Sequence, residues 1–496
     1  MNILFASSEV TPFAKTGGLA DVSGSLPKAL AGKGNRVVVV MPFYRQVKEG
    51  GFHLRRLEKP LDILSHDEVL MTSVFHTELM ADVSVCFIQH DGYFDRSELY
   101  GTPMGDYTDN AERFIFFCRA VLHLGKLLNF RPDIIHCHDW QTALIPVYLK
   151  SLYKNDPFYR RTRTLFTIHN LAYQGIFSRD IWRISGLPES LFSMEALEFF
   201  GKVNFMKGGI LFSDLVTTVS GKYAQEILTP EYGFGLDGVL RTREGDLAGI
   251  LNGVDYSSWN PETDPHIAEN YSRKNLSGKK KCKKDLLAAF GIRTTGDVPL
   301  IGIVSRLAAQ KGFDILGDAL EEIVRSGSIV VLLGTGDEKY EKQLTELAEK
   351  QKRLGVRIAF DNVLSHKIEA GSDMFLMPSR YEPCGLNQMF SLKYGTIPIV
   401  RATGGLDDTI REYDPLTGEG NGFKFAEYSA GALSEAVKKA VSVYRDPQKW
   451  SALMRNAMSE DFSWDRSASL YQELYTRIHL LNKEKAYGNK NGVRYS

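Results

Sequence analysis

The chain has 496 residues, of which 43% are hydrophobic and 24% are charged, proportions typical of a soluble globular protein with ample core material. Lys and Arg together number 60, as do Asp and Glu, so the formal net charge is zero and supplies no global attraction for a nucleic acid. Aromatic and branched residues are too frequent for a chain that is disordered throughout.

Short apolar runs alternate along the chain with longer segments of helical period. The run Val37–Val40 is apolar on both faces, as in a strand covered by helices on each side. The predicted strands of the first half are Ile3–Ala6, Arg36–Val40, Ile134–Cys137, Arg163–Ile168, Leu215–Thr218 and Ala248–Leu251. Those of the second half are Leu300–Val304, Ile329–Leu333, Val356–Phe360, Met374–Met377 and Ile397–Val400, with helices predicted at Lys311–Val324, Asp337–Arg353 and Leu433–Tyr444. The alternation predicts an α/β protein with doubly wound parallel sheets.

The segment Asn252–Pro299 interrupts this rhythm with turn-forming dipeptides and few apolar runs. We therefore predict a first domain over residues 1–255, a linker and junction over 256–297, and a second domain over 298–462. A helix over 463–485 and a frayed tail over 486–496 complete the chain. The lysine-rich run Lys279–Lys284 is interpreted as a solvated surface at a helix start, with an anion or glucan contact as the alternative.

The cysteines and the N-terminal residues predict a cytoplasmic location. Five cysteines are widely spaced and form no CxxC pair, which indicates a reducing compartment without a disulfide framework or zinc site. The first residues have no basic region, and no apolar run is long enough to span a membrane.

A glycine pair at Gly17 and Gly18 follows the first predicted strand and precedes a helix. Paired glycines let backbone N–H groups approach an anion, and Lys15 adds a positive charge suited to phosphate. Asp21 has two interpretations, a helix cap or an acceptor for a ligand hydroxyl. The same pattern returns at Thr403, Gly404 and Gly405, which suggests two similar domains that each present a Gly-Gly loop at the carboxyl end of a sheet.

The second half offers two further groups at predicted strand ends. Arg306 and Lys311 follow the first strand there and can converge on a diphosphate, unless they are ordinary solvated cations. Glu382 lies beside a proline just before a helix, where it can bind a sugar hydroxyl or stabilise an anomeric carbon, or simply compensate the helix dipole. The backbone N–H groups of Cys384–Leu386 open that helix and are available to hydroxyls or an anion.

Two strand ends of the first half carry histidines. His136, His138 and Asp139 end one strand, and His169 follows the next. Three histidines and an aspartate invite a metal interpretation, but no H-E-x-x-H spacing is present, so hydrogen-bonded histidines in a cleft are preferred.

Taken together, Lys15–Asp21, His138–Thr142, Arg306 with Lys311, and Tyr381–Leu386 with Thr403–Asp408 closely resemble the bacterial glycogen synthases and plant starch synthases. The resemblance extends from Met1 to about Lys483 and weakens over residues 55–85 and 275–285. The sequence departs from the family at Phe390–Lys393, where smaller residues are usual, and this predicts altered packing of that helix.

The resemblance implies a GT-B fold: two Rossmann-like domains, an interdomain cleft, and a C-terminal helix that packs back on the first domain. It implies a metal-independent, cofactor-free transfer of glucose from ADP-glucose to the non-reducing 4-hydroxyl of an α-1,4-glucan such as glycogen, with retention. No nucleic acid or membrane is expected as a partner.

The resemblance also assigns roles to individual residues. The catalytic group is Glu382, Arg306, Lys311, His169 and Asp139. The residues expected to bind ADP-glucose are Lys15, Gly17, Gly18, Asp21, Asn252, Cys384, Gly385, Leu386, Thr403, Gly404 and Gly405.

Several alternatives stay open at the level of sequence. Nothing in the residues identifies the base, so a UDP-glucose donor is possible. An α-glucan phosphorylase shares the architecture but needs pyridoxal phosphate, and a non-catalytic glucan-binding protein would not need a diphosphate clamp. Retention is compatible with same-face attack, which we favour, or with a covalent intermediate on Glu382 or Asp139.

Overall fold

The computed structural model describes residues 1–65, 68–102 and 104–488, and these form two compact units. Unit 1 comprises Met1–Val219, Ala224–Gly253 and the chain from Trp464 onward, and unit 2 comprises Ser220–Tyr223 and Val254–Ser463.

The strands are, in chain order, β1 Asn2–Ala6, β2 Arg36–Pro42, β3 Arg55–Arg56, β4 Leu61–Ser65, β5 Glu68–Thr72, β6 Val74–Met80, β7 Val83–Ile88, β8 Gly101–Thr102, β9 Gly105–Asp106, β10 Ile134–His138, β11 Arg163–Ile168, β12 Ile176–Phe177, β13 Glu198–Phe199, β14 Lys202–Asn204, β15 Leu215–Thr218, β16 Leu247–Gly249, β17 Leu300–Val304, β18 Ile329–Gly334, β19 Leu354–Ile358, β20 Met374–Met377, β21 Ile397–Arg401 and β22 Phe423–Phe425.

The α-helices are α1 Gly18–Ala31, α2 Arg45–Glu49, α3 Asp91–Phe94, α4 Asn110–Leu127, α5 Leu144–Lys150, α6 Trp182–Ser185, α7 Phe205–Phe212, α8 Gly221–Glu226, α9 Asp237–Arg241, α10 Ser277–Ala289, α11 Phe313–Arg325, α12 Glu338–Lys350, α13 Asn362–Gly371, α14 Asn387–Lys393, α15 Gly404–Thr409, α16 Ala430–Tyr444, α17 Pro447–Ala457 and α18 Trp464–Gly488.

Unit 1 is built on a nine-stranded sheet in the order β16-β15-β11-β10-β1-β2-β7-β6-β3. The strands from β16 to β7 pair in parallel, and β6 and β3 add an antiparallel edge. Numbered by chain position, the six strands β7-β2-β1-β10-β11-β15 follow the spatial order 3-2-1-4-5-6 of a Rossmann fold. The direction of winding therefore reverses between β1 and β10.

Unit 2 repeats this order in a wholly parallel six-stranded sheet, β19-β18-β17-β20-β21-β22. Its winding reverses between β17 and β20. The buried faces of α11 and α16 pack against the sheet with Ile301, Leu332 and Ile399 in one apolar core. The predicted fold class, two doubly wound Rossmann-like domains, is confirmed.

Some predicted boundaries were wrong. The predicted strand Val356–Phe360 lies two residues earlier as β19, because β18 ends at Gly334 and offers no partner beyond Ile358. The strand predicted at Ala248–Leu251 is β16, which ends at Gly249.

The helix predicted over Lys311–Val324 begins only at Phe313. Gly312 adopts a left-handed φ of 81° between a short 3-10 turn and α11. A Cβ at this residue would lie 2.0 Å from the Pro378 carbonyl oxygen, so only glycine allows the two loops to approach.

The interpretation of the lysine run as a solvated surface was wrong for two of its members. Lys279 is 6% exposed, and its ammonium donates to the carbonyls of Ala370 and Tyr394 and to the Thr396 hydroxyl. Lys283 forms an ion pair with Asp373 at 2.7 Å. The run lies on α10, which packs against α13, so helical periodicity turns these two lysines inward.

The final helix α18 returns to unit 1, where Tyr471 and Tyr475 are fully buried. The Tyr475 hydroxyl forms a hydrogen bond with His136 Nδ1 at 2.7 Å, and Ser467 donates to the Leu251 carbonyl. Of the tail predicted to fray over 486–496, residues 486–488 are helical, and 489–496 lie outside the described residues. None of the helices in the described part of the chain combines the length and apolarity needed to cross a membrane.

Candidate active site

Most candidate site residues of each unit lie beyond the carboxyl ends of the two strands at which the winding reverses and of the strand that follows them. In unit 1 they follow β1, β10 and β11, and in unit 2 they follow β17, β20 and β21. Loops at a switch point are the usual ligand-binding edge of an open α/β sheet. Each unit therefore presents a candidate binding edge, described in turn.

Lys311 and Glu382 form the centre of the unit 2 edge. The Lys311 Nζ lies 2.6 Å from Glu382 Oε2, and the same oxygen accepts a hydrogen bond from Ser379 Oγ at 3.0 Å. Glu382 is 5% exposed, whereas the Lys311 side chain is 23% exposed. The pair fixes the cation at a strand end while leaving part of it accessible to an anion.

Gly404 and Gly405 press the loop after β21 against the Glu382 loop. A Cβ on Gly404 would lie 2.0 Å from the Glu382 carbonyl oxygen, and one on Gly405 would lie 2.1 Å from that of Cys384. The Gly405 N–H donates to the carbonyls of Glu382 and Pro383. The glycines thus allow a backbone contact that no larger residue permits, and that contact positions Glu382.

Arg306 and the segment Cys384–Leu386 complete the unit 2 edge. Arg306 is exposed and donates to Gln310 Oε1 at 3.2 Å. Leu386 is the N-cap of α14, so the N–H groups at the start of that helix have no intrahelical acceptor. Gln388 donates from Nε2 to the Cys384 and Gly385 carbonyls and so fixes the loop.

Ser220 is a functional candidate that the sequence analysis missed. It belongs to the short Ser220–Tyr223 segment of unit 2, is fully buried, and donates from Oγ to the Pro383 carbonyl at 2.6 Å. Beside it, the Lys222 N–H donates to Asp408 Oδ2 at 2.8 Å. A serine 163 residues away from its partner gives no local signal in the sequence.

The glycine loop of unit 1 is organised by Glu9, which was also missed. Its carboxylate, 4% exposed, accepts the N–H groups of Thr16 at 2.6 Å and Gly17 at 3.1 Å. Tyr100 donates to the same carboxylate. An internal carboxylate therefore takes two backbone donors that an anion would otherwise use, and Gly18 begins α1 beside them.

Lys15 and Asp21 form an ion pair at 2.7 Å above this loop, with 45% and 31% of their side chains exposed. Gly17, rather than Asp21, is the N-cap of α1. Asp21 therefore does not cap the helix, and the exposed Lys15 is held next to the glycines by a solvent-screened pair.

Asp139 and His169 lie together beyond β10 and β11. Asp139 Oδ1 accepts the His169 N–H at 2.7 Å, and the backbone of Asp139 has a φ of 55°. Burial raises the pKa of Asp139 to about 7, and the nearby Glu9 carboxylate acts in the same direction. The carboxylate thus holds the backbone of the neighbouring loop and titrates close to neutrality.

The histidines His136, His138 and His169 form two separate hydrogen-bonded contacts. His138 Nδ1 and His169 Nε2 are 2.9 Å apart, and His136 Nε2 contacts Thr167 Oγ1 at 2.7 Å. Burial lowers the pKa of His169 to about 3 and holds the pKa of His136 and His138 well below the usual range. All three imidazoles are therefore neutral at pH 7, and within the described ranges no group of three His, Cys, Asp or Glu side chains has the arrangement of a metal site.

Asn252 is 5% exposed, and its Oδ1 has no hydrogen-bond partner among the described residues. Four pairs of predicted site residues are in contact in the structure: Lys311 with Glu382, Gly404 with Glu382, Lys15 with Asp21, and Asp139 with His169.

The repeated T-G-G-L motif occupies different positions in the two units. In unit 1 it follows β1, which is strand 1 of the order 3-2-1-4-5-6, whereas in unit 2 it follows β21, which is strand 5 of that order. Arg306 and Lys311 occupy the place in unit 2 that corresponds to Lys15–Asp21 in unit 1. Both motifs lie at a carboxyl edge and both begin a helix, but they follow different strands of the common order, so they are not equivalent positions.

Two family models match this chain. The model described as the starch synthase catalytic domain matches residues 2–242, and the model for glycosyl transferases group 1 matches residues 289–457.

Curated relatives match over nearly the whole chain. The glycogen synthase of Koribacter versatilis is 52% identical over 480 residues, covering 96% of this chain and 98% of the relative. The glycogen synthase of Thermotoga maritima is 46% identical, covering 96% and 99% of the two chains.

Solved structures agree in fold. The catalytic domain of starch synthase IV from Arabidopsis thaliana, solved with ADP and acarbose bound, matches with a TM-score of 0.89 at 35% identity, covering 96% of this chain and 99% of that one. A sucrose-phosphate synthase from Thermosynechococcus elongatus matches with a TM-score of 0.60 at 16% identity, a likeness of fold alone.

Proposed function

Because this chain belongs to the family of bacterial glycogen synthases and plant starch synthases, we propose that it transfers glucose from ADP-glucose to the non-reducing 4-hydroxyl of an α-1,4-glucan. Membership makes the chain a glycosyltransferase of the GT-B fold. The proposed reaction retains the anomeric configuration, releases ADP and extends a glycogen-like polymer in the cytoplasm. The ADP bound to the Arabidopsis relative supports the choice of donor.

The observation that carries the proposal is the Lys311–Glu382 pair at the carboxyl edge of the unit 2 sheet, with Arg306 nearby. Negative charge develops on the diphosphate as its bond to the glucosyl carbon breaks. Fixed cations stabilise this charge without reorganising during the reaction. Lys311 and Arg306 are proposed to hold the departing diphosphate, and the exposed Lys15 is proposed to contact the donor.

Glu382 and the following segment are proposed to bind the glucosyl hydroxyls. The Glu382 carboxylate accepts from Lys311 and Ser379 through one oxygen, Oε2, which leaves the other to accept a sugar hydroxyl. The N–H groups of Cys384, Gly385 and Leu386 are proposed to donate to the same sugar. The glycines of the loop after β21 are proposed to act by positioning Glu382, and Thr403 by contact with the donor.

In unit 1, His169 and Asp139 are proposed to act on the sugar side of the reaction, with Gly17, Gly18, Asp21 and Asn252 as further donor contacts. The low pKa of His169 keeps it neutral, so it can exchange hydrogen bonds with a sugar without adding charge to the site.

We favour same-face attack, in which neither Glu382 nor Asp139 acts as a nucleophile. Glu382 is paired with Lys311, and Asp139 accepts a backbone N–H. In this mechanism the leaving phosphate accepts the proton of the attacking 4-hydroxyl, so no side chain has to form a bond to the sugar.

The test is incubation of the purified chain with glycogen and either ADP-glucose or UDP-glucose, following nucleotide release and glucan growth. We expect one nucleotide released per glucose added, with ADP-glucose preferred. Release without glucan growth, or growth only from glucose 1-phosphate with pyridoxal phosphate present, would contradict the proposal.

A leaving-group role for Lys311 predicts that Lys311→Ala lowers kcat by about a hundredfold, the usual effect of removing one electrostatic contact to a developing charge. The matched control is Lys449→Ala, which removes an exposed lysine of α17. Turnover of Lys311→Ala equal to that of the control would remove Lys311 from the mechanism.

A further inference from the structure

Two exposed phenylalanines of unit 1 adopt a backbone conformation that bulky residues avoid. Phe200 has a φ of 50° and Phe234 a φ of 48°, and each is followed by a glycine that is also left-handed. The left-handed backbone conformation is sterically disfavoured for a bulky side chain. Burial of the ring would offset this cost, but Phe200 is 85% exposed. Stability of the fold therefore does not explain why phenylalanine stands there, and strain of this kind points to function.

These rings belong to one surface. The Phe199 ring lies 4.7 Å from the Phe200 ring, centroid to centroid, and its Cζ lies 3.0 Å from the Cβ position of Gly235, which directly follows Phe234. In the small sheet β12-β14-β13, Ile176 pairs with Asn204 and Phe199 pairs with Lys202, two residues away on the same strand. Side chains two residues apart share a face, so Ile176 lies on the same face as Phe199.

We call the surface formed by Ile176, Phe199, Phe200 and Phe234 the aromatic platform. Ile176 is 41% exposed and Phe234 is 37% exposed, while the opposite face of the sheet is internal, with the Phe177 ring 5.6 Å from Trp140. On the same face, Asn204 beside Ile176 is buried, whereas Lys202 beside Phe199 is exposed. The platform is therefore the exposed part of one face of a sheet whose opposite face is anchored in unit 1.

The platform is fixed to the candidate active site through buried contacts. Gln174 is 6% exposed, accepts a hydrogen bond from Asn204 and donates to the Phe234 carbonyl. The Tyr173 N–H donates to the Asn170 carbonyl, one residue after His169. A Cβ on Gly175 would lie 2.6 Å from the ring of Trp140, which directly follows Asp139. The same segment thus carries both the catalytic candidates and the platform.

We propose that the aromatic platform binds the acceptor glucan by stacking its sugar rings on the exposed aromatic faces, away from the glucose that reacts. The proposal rests on the proposed function, because it assumes a polymeric α-glucan as acceptor. Each glucose ring has an apolar face of C–H groups and a rim of hydroxyls, and an aromatic ring complements that face. The platform carries aromatic and aliphatic side chains and a single exposed lysine, Lys202, beside Phe199. It therefore suits a neutral sugar polymer better than an anionic polymer, whose binding would require clustered cations.

The test replaces a platform phenylalanine by asparagine, which tolerates the left-handed conformation and removes the ring. For Phe200→Asn and Phe234→Asn we expect the dissociation constant for maltoheptaose and the KM for glycogen to rise about fivefold or more. The KM for ADP-glucose should not change, and Tm should stay equal or rise because strain is relieved. Phe360→Asn is the matched control, since Phe360 is 86% exposed but belongs to unit 2.

The outcomes separate this proposal from the proposed function. If the wild type elongates glycogen while both variants bind maltoheptaose as tightly as the Phe360→Asn control, the platform is refuted and the enzymatic function stands. If the wild type transfers no glucose but binds maltoheptaose through Phe200, the enzymatic function fails and the platform stands. A wild-type dimer that Phe200→Asn dissociates without weakening glucan binding assigns the platform to a second copy and overturns the proposal.

Discussion

Asp139 is a half-buried carboxylate whose contacts indicate a positioning role. Its Oδ1 accepts the His169 N–H at 2.7 Å, and burial raises its pKa to about 7. An asparagine oxygen can accept the same hydrogen bond without a charge, whereas an alanine cannot.

We therefore predict that Asp139→Asn keeps most of the wild-type kcat for transfer from ADP-glucose to glycogen, and that Asp139→Ala loses about tenfold or more. Steady-state rates of the two variants, measured side by side, test this. Loss of turnover in Asp139→Asn equal to that in Asp139→Ala would indicate that the charge itself is needed, as a covalent intermediate on Asp139 requires.

Ser220 positions the loop that follows Glu382. Its hydroxyl donates to the Pro383 carbonyl, which also accepts from Gly405. Ser220→Ala should raise the KM for ADP-glucose about threefold to tenfold, since the loss of one buried hydrogen bond loosens the donor loop. The control is Ser213→Ala, because the buried Ser213 hydroxyl has no hydrogen-bond partner among the described residues. Equal KM values in the two variants would show that Ser220 has no such role.

At this scale, the sequence predicted the residues that stand in compact motifs and missed their distant partners. Lys311 and Glu382 were both identified as candidates, and the structure brings them within 2.6 Å. Glu9 and Ser220 were missed because a lone carboxylate or hydroxyl is common in any sequence. Their importance depends on loops that meet only after folding.

Among the helices, α10 shows how an amphipathic pattern was misinterpreted. Its lysines are numerous enough to suggest a solvated surface, yet Lys279 is buried and its ammonium donates three hydrogen bonds. Burial lowers the pKa of Lys279 to about 8 and raises the pKa of the neighbouring Glu369 to about 8. Packing against α13 hides part of the charged face of α10, and composition alone cannot reveal this.

The raised pKa of Glu369 predicts a pH-dependent stability. The protonated carboxyl is favoured in the folded state, so its stabilising effect is complete below about pH 4.5 and is lost as pH rises through about 8. Glu369→Gln keeps an acceptor for the Ser391 hydroxyl and cannot ionise. Near pH 5 the variant should match the wild type, and near pH 8.5 it should be more stable by about 1–3 kcal/mol. Urea unfolding at the two pH values measures this difference, and an identical difference at both would contradict it.

The departure at Phe390 has a visible consequence in the packing of α14. The Trp259 ring is stacked between Phe390, at 4.1 Å, and His366, at 3.8 Å. A smaller residue could not complete this stack. The partner Trp259 lies in the irregular segment before α10, where sequence patterns offered no contact information.

Strand prediction succeeded where a strand is a continuous apolar run, and it missed several others, including the buried strand β7 between β2 and β6. Central strands such as β2 and β18 are apolar on both faces and gave a clear pattern. The edge strand β22 has only three residues, and β6 is half-exposed with mixed polarity, so neither was predicted. The residue at which β19 ends is set by the length of its partner β18. A strand's own sequence does not contain this information.

At the scale of the whole molecule, both units have the strand order 3-2-1-4-5-6. In each unit, candidate site residues follow strands 1, 4 and 5 of that order. Alternation of strands and helices was enough to predict this class of fold. The repeated T-G-G-L motif suggested a closer equivalence than exists, because it follows different strands in the two units. Topology, which depends on long-range pairing, was the part that the sequence could not supply.

The proposed function makes the claim that the cations at the carboxyl edge of the unit 2 sheet bind the diphosphate of the donor. Titration calorimetry of ADP and AMP with the wild type, Lys311→Met and Arg306→Met tests this directly, because AMP lacks the second phosphate. Arg306 is exposed, so its variant should fold normally, and Tm measurements will show whether Lys311→Met does as well. We predict that both variants lose about tenfold or more of their affinity for ADP and little of their affinity for AMP. Wild-type affinity for ADP in both folded variants would contradict the claim.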